Sequence, residues 1–186
     1  MARLVQGYGM PSATVDTTLS QVYADVGDFI VSTLGIDSTQ VVQGYANRVA
    51  MPLGGFVEMH ITRSARLSTN VDGWDTTNSN PTSATQTQAV QLALQLSLYG
   101  PASGDWAAIM STLLRDAVAC DALAPVCQPL YSDDPIRAPL TDAEQQYEDK
   151  WVVTAQLQYN PTVSTAQQFA NTLDVTLINV DEAYPP

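Results

Sequence analysis

The segment Gln88–Asp116 constrains the fold more than any other part of the chain, because it holds a long strand, a break and an amphipathic helix in immediate succession. Val90, Leu92, Leu94, Leu96 and Leu98 alternate with Gln91, Ala93, Gln95, Ser97 and Tyr99. That period of two is the pattern of a half-buried strand in an antiparallel sheet. Gly100-Pro101 ends the run, since glycine admits unusual backbone angles and proline cannot donate to a ladder. Ser103 is read as the N-cap of the following helix, and Asp105 sits where a carboxylate favours the positive helix end. Trp106, Ile109, Met110, Leu113 and Leu114 then fall at the spacing of one apolar stripe. A strand with one apolar face followed at once by such a helix predicts that the helix covers the sheet. The core is expected there.

The flanking segments extend this plan. Thr18 and Gln21 form a capping-box pair that opens a helix to about Leu34, with Gly35 as its stop. Its stripe is Leu19, Val22, Tyr23, Val26, Phe29, Ile30 and Leu34. A short strand is expected at Gln40–Gly44, then a polar turn with Asn47 and Arg48. Alternation resumes at Phe56, with Val57, Met59, Ile61, Ala65 and Leu67 on one face and Glu58, His60, Thr62 and Arg66 on the other. Arg63 breaks that pattern by falling on the apolar face. Residues 70–87 are polar and aperiodic between strong strands, and read as the projecting tip of a long hairpin carrying Trp74. Trp74 is either a contact anchor or folded back onto its own domain. The proline-rich stretch Cys120–Leu140 reads as irregular. Tyr147, Trp151, Val153, Ala155, Leu157 and Tyr159 mark another long strand, stopped by Asn160-Pro161. Ser164 and Gln167 could cap a short helix to Asn171, and Leu173, Val175 and Leu177 outline a last strand.

The resulting expectation is an α+β fold: a mainly antiparallel sheet of about 4–5 strands, two main helices on one face, and a long hairpin arm. Residues 1–186 read as a single domain, with a flexible arm over 1–16 and a loose tail over 181–186. No apolar run approaches the roughly 20 residues of a membrane span, and the first residues turn polar too soon for a signal peptide.

Chemistry is sparse. Nineteen acidic against seven basic residues give a net charge of −12, which repels nucleic acid and anionic membranes. His60 is the only histidine, and no nucleophile or orienting carboxylate is cued beside it. Cys120 and Cys127 lack the further ligands of a zinc site and read as structural thiols. Asp133-Asp134-Pro135 reads as an acidic turn, and Asp72 and Asp75 around Gly73 as half a calcium loop without the rest. There is no phosphate-binding glycine loop and no basic patch. No catalytic, cofactor-binding or metal site is therefore expected. Interface candidates are Asp72, Trp74, Asp75, Asp133 and Asp134.

Six stretches in order resemble a known family. They are Gly44–Val57 (Gly-Tyr-Ala-Asn-Arg-Val-Ala-Met-Pro-Leu-Gly-Gly-Phe-Val), Arg66–Asp72 (Arg-Leu-Ser-Thr-Asn-Val-Asp) and Tyr99–Trp106 (Tyr-Gly-Pro-Ala-Ser-Gly-Asp-Trp). The others are Pro125–Pro135 (Pro-Val-Cys-Gln-Pro-Leu-Tyr-Ser-Asp-Asp-Pro), Gln146–Trp151 (Gln-Tyr-Glu-Asp-Lys-Trp) and Leu157–Pro161 (Leu-Gln-Tyr-Asn-Pro). Together, from roughly Val22 to Asp181, they resemble the neck or tail-terminator proteins of tailed bacteriophages. The resemblance implies a structural virion protein with no catalytic residues, made in the bacterial host cytoplasm. It implies a ring of about six copies that caps the tail tube protein, ends tail polymerisation and meets the head-side connector or stopper. DNA would pass through the lumen without specific binding, and an acidic lumen would let it slide. The alternative is a non-ring adaptor or minor tail protein that binds a single virion partner.

Overall fold

The computed structural model describes residues 12–44, 52–74, 83–138, 140–141 and 147–166. Fifteen elements follow in order. These are β1 (Ala13–Val15), α1 (Leu19–Leu34), β2 (Val41–Gln43), β3 (Phe56–Arg66), β4 (Val71–Trp74), β5 (Ser83–Thr87) and β6 (Val90–Tyr99). Then come α2 (Ser103–Leu113), α3 (Ala117–Leu123), β7 (Gln128–Ser132), β8 (Ile136–Arg137), β9 (Leu140–Thr141), β10 (Tyr147–Glu148), β11 (Lys150–Tyr159) and β12 (Thr162–Ala166).

The α+β class stands, with two large sheets and a two-stranded β9–β10 ladder rather than one sheet. The main sheet runs β2-β3-β6-β11-β7, with β8 also on β11; only β2–β3 is parallel. β6 is central, and its apolar residues continue across both neighbours. Met59, Leu96 and Val153 form one cross-strand row, and Ile61, Leu94 and Ala155 form the next. On this face Leu92, Leu96, Leu98, Val153, Ala155 and Leu157 are fully buried. All three helices contribute to the same cluster, through Val22, Val26, Phe29 and Ile30 of α1, Ala107 and Met110 of α2, and Ala119 and Leu123 of α3. One helix layer thus covers one sheet face.

Local signals explain α1. The Thr18 side chain accepts from Gln21 N while the Gln21 side chain accepts from Thr18 N, a complete capping box. Gly35 closes the helix in the left-handed region at φ 64°. Thr18→Ala should cost about 1 kcal/mol, read as a lower urea midpoint with an unchanged slope.

α2 departs from expectation in two ways. Ala102 occupies the cap position without a side-chain bond, whereas Ser103 lies inside the first turn, fully buried, its Oγ 3.5 Å from the Asp149 carbonyl. The turn Gly100–Ser103 sets the start instead, with Ser103 N donating to Gly100 O at 3.0 Å. The buried stripe is also rotated: Ser103, Ala107, Met110, Ser111 and Leu114 face inward, while Ile109 is 40% exposed. Small residues let the helix sit close on β6 and β11, and the bulkier Ile109 is turned out.

Three further expectations are corrected. The stretch 120–140 is not irregular, for Asp116 caps α3 through Val118 N and β7 pairs with β11. Pro129 is accommodated because β7 ends the sheet order, where a missing donor costs no ladder bond. A helix opening at Ser164 is overturned by β12, which pairs with β5 on one side and β1 on the other. Asn160-Pro161 does end β11, at Tyr159, as the sequence predicts, and passes the chain from one sheet to the other. Ala13–Val15 likewise belong to a strand, not to an irregular arm. The expected features at Asn47, Arg48 and Asp75, at 167–177 and over 181–186 lie outside the described residues.

Candidate assembly interface

The second sheet, ordered β1-β12-β5-β4, is antiparallel throughout. β4 and β5 prolong the β3–β6 hairpin, and β12 prolongs β11. Register divides its side chains between two faces. One face carries Thr14, Thr85, Thr87, Thr162 and Ser164 together with the exposed Val71, with the Thr87 and Thr162 hydroxyls 2.8 Å apart. The other carries Val15, Val163, Gln86 and Asp72 in one row and Ala13, Thr165, Ala84 and Trp74 in the next. Trp74 is 58% exposed and Val15 48%, so this face presents apolar surface with one carboxylate beside it. Asp16 fastens the sheet at its junction: its carboxylate accepts from Thr162 N at 2.9 Å, and that bond holds its pKa below the usual range.

The face of the main sheet that no described helix covers has a different character. A β-bulge between Ile61 and Arg63 shifts the register, so Ile61 opposes Leu94 on the core face while Arg63 opposes Ala93 on the open face. The sequence places Arg63 and Ala65 with the apolar set; the inserted Thr62 reverses both. Thr62 Oγ1 donates to Ala93 O at 3.1 Å at this step. Arg63, Ala93, Gln156 and Tyr131 consequently form a single row across β3, β6, β11 and β7. With Ala65 and Gln91 they line a cleft of about 210 Å³, in which Gln91 Nε2 donates to Gln156 Oε1 at 3.1 Å. Further along, Tyr99 stacks on Phe56 at 4.4 Å, donates to Glu58 and lies 4.9 Å from Lys150 Nζ. His60 lies opposite Gln95 on this face, partly buried.

The expected interface residues therefore divide between two places. Asp72 and Trp74 share one exposed face of β4. Asp133 and Asp134 follow β7 in the main sheet: Asp133 N donates to Thr154 O, and Asp134 pairs with Arg115 at 2.8 Å. Arg115 also donates through Nε to Ser132 O, so Asp134 serves to tie the end of α2 to β7. The pair is solvent-exposed and worth little in stability.

Among the described residues no three His, Cys, Asp or Glu side chains converge on a metal-sized site. Cys127 is buried in the core just after α3, and burial, aided by the charge of Asp25, pushes its thiol up to about 11. A thiol held neutral and covered is a poor nucleophile. Labelling with a thiol reagent at pH 8 should therefore leave Cys127 unmodified in the folded protein and modify it after denaturation, as mapped by mass spectrometry.

Comparison with known families resolves which kind of protein presents these faces. The model of the phage neck terminator protein family matches residues 20–182. The chain belongs to that family. The match leaves out only residues 1–19 and 183–186, so the neck terminator segment includes the bulge of β3, the open face of the main sheet and three of the four strands of the second sheet. No curated protein matches the chain. Membership makes it a structural protein of the phage tail neck. No helix among the described residues is long and apolar enough to cross a membrane.

Proposed function

We propose that this neck terminator forms a closed ring of about six copies that caps the tail tube, ends tail polymerisation and joins the tail to the head-side connector. The observation that carries the reading is the parity of the second sheet. Among the described residues, four antiparallel strands leave β1 and β4 as its edges, and strands separated by an odd number of steps run in opposite directions. Adding the β4 edge of one copy to the β1 edge of the next thus continues the alternation without a parallel step. Such a contact is heterologous, and with the right rotation it closes into a ring. Short edges of three and four residues suit completion by a neighbour.

Residues 1–186 act in this reading as one domain, with the tip beyond β4 reaching toward a neighbour or the tube, and with no catalytic step. The net charge of −12 supports a channel in which DNA slides, because phosphate contacts are what would hold it. The test is solution mass with negative-stain imaging, repeated with purified tail tubes. Rings of about 120 kDa, six times the 20.0 kDa chain, or caps at one tube end, are expected. A monomer that leaves both tube ends bare would overturn the ring and favour an adaptor bound to one virion partner.

A further inference from the structure

Resting on the ring reading, we infer that the Arg63 cleft on the open face of the main sheet is the socket that receives the Asp72 and Trp74 side chains that project from one face of β4 in a second copy of this chain, while the backbone edge of that β4 pairs with β1.

The argument begins with the scarcity of positive charge. Seven basic residues stand against nineteen acidic ones. Among the described residues, Arg115 and Arg137 are held in ion pairs, Arg66 donates to Ser68 O and Asn70 Oδ1, and Lys150 lies over the Tyr99 ring. Arg63 alone among the described cations makes no such contact, and it is exposed. Its position is also set by a device: without the bulge at Thr62, residue 63 would point into the helix-covered core. Bulges re-aim side chains, and this one delivers a guanidinium to the open face.

The cleft beside it is shaped for a short apolar and acidic segment. Ala93 is the small floor of the row, while Arg63 stands on one side and the Gln156 amide and half-exposed Tyr131 on the other. A carboxylate meets two-pronged donation from the guanidinium, and an aromatic ring meets the Tyr131 face and the two alanines. β4 offers that pair on one face, Asp72 and Trp74, two residues apart and both exposed. A chain of net charge −12 otherwise repels its own copies, so an accessible cation facing an exposed carboxylate is where self-association finds its complement. The two surfaces lie on different sheets, so the contact can repeat from copy to copy in one direction, as a heterologous ring requires.

Charge reversal and its rescue test the pairing. Arg63→Glu and Asp72→Arg should each raise the concentration at half-assembly by about tenfold or more, and the double variant should restore most of that loss, as for close interfacial charge pairs. Both side chains are exposed, so thermal melts of the single variants should match the parent and separate assembly from folding. If the parent forms rings and Arg63→Glu forms them at the same concentration, the socket is refuted while the ring stands. If Arg63→Glu forms rings that no longer cap tubes, the cleft serves the tube protein and the self-contact is refuted. Single-variant losses without rescue in the double variant also refute the pairing. A parent chain that neither forms rings nor caps tubes removes the ring reading itself, and this contact with it.

Discussion

Leu96→Ala should lower the unfolding free energy by about 3 kcal/mol, near the middle of the range for large core truncations. Leu96 is fully buried at the centre of β6, with Met59 opposite it on β3 and Val153 opposite it on β11. Truncation removes the apolar contacts and leaves a void that two flanking strands and a helix layer cannot fill without breaking their own register. The void, not the lost transfer term alone, makes this site costly. Urea titration should show a lower midpoint with little change in slope. Leu96→Met, which conserves volume, should stay within about 1.5 kcal/mol of the parent. An alanine loss under about 1 kcal/mol would mean that the layer collapses freely onto the sheet.

Gly100→Ala should be damaging for two separable reasons. At φ 100° the backbone lies where side chains are strained, and a Cβ there would stand 2.8 Å from the Gly55 Cα. The obstacle is backbone, so no rotamer relieves it. Gly100 also joins the end of β6 to α2, with its N–H on Asp149 O and its carbonyl receiving Ser103 N, so a shift would disturb sheet and helix together. Gly35→Ala supplies the comparison: φ is 64° and nothing lies within 4 Å of the added carbon. That variant should lose about 1 kcal/mol from backbone conformation alone, and Gly100→Ala about 3 kcal/mol once the steric term is added. Equal losses at the two sites would show that Gly55 yields without cost.

These two sites also show what the sequence makes legible. Leu96 belongs to an uninterrupted alternation, and Thr18, Gln21 and Gly35 bound α1 through contacts three or four residues apart, so local spacing is enough to place both. The bulge at Thr62 is different in kind. One inserted residue leaves the composition of β3 unchanged and reverses every face after it, and only the pairing with Ala93 and Leu92 reveals the new phase. Arg63, the residue on which the cleft depends, is for that reason read from sequence as a flaw in an apolar face. The second sheet is hidden similarly. β1 and β12 are short and rich in threonine and alanine, and their hydrogen bonds join residues such as Ala13 and Thr165 that are remote in the chain. Ser164 fits a helix cap by spacing, but its backbone is claimed by strands on both sides. α3 and β7 escape because prolines at 125 and 129 suggest a loop, whereas one lies between elements and the other on an edge.

The way the chain passes between the sheets has a mechanical consequence. β11 becomes β12 across Asn160 and Pro161, and β5 becomes β6 across Gln88 and Ala89, so the sheets are joined by two short backbone connections, with Gln88 N donating to Pro161 O between them. Ladder bonds lie perpendicular to antiparallel strands. β6 and β11 both leave for the second sheet at the same end of their ladder, where Val90 lies opposite Tyr159, so a tension drawn along the strands through that sheet is shared by the two and passed on to β3 and β7 through their flanking ladders. The strand direction is the stiff axis of the subunit, and the helix layer, joined to the sheet by packing and by a few bonds such as Ile61 N to Tyr23 Oη and Arg115 Nε to Ser132 O, is its more compliant side.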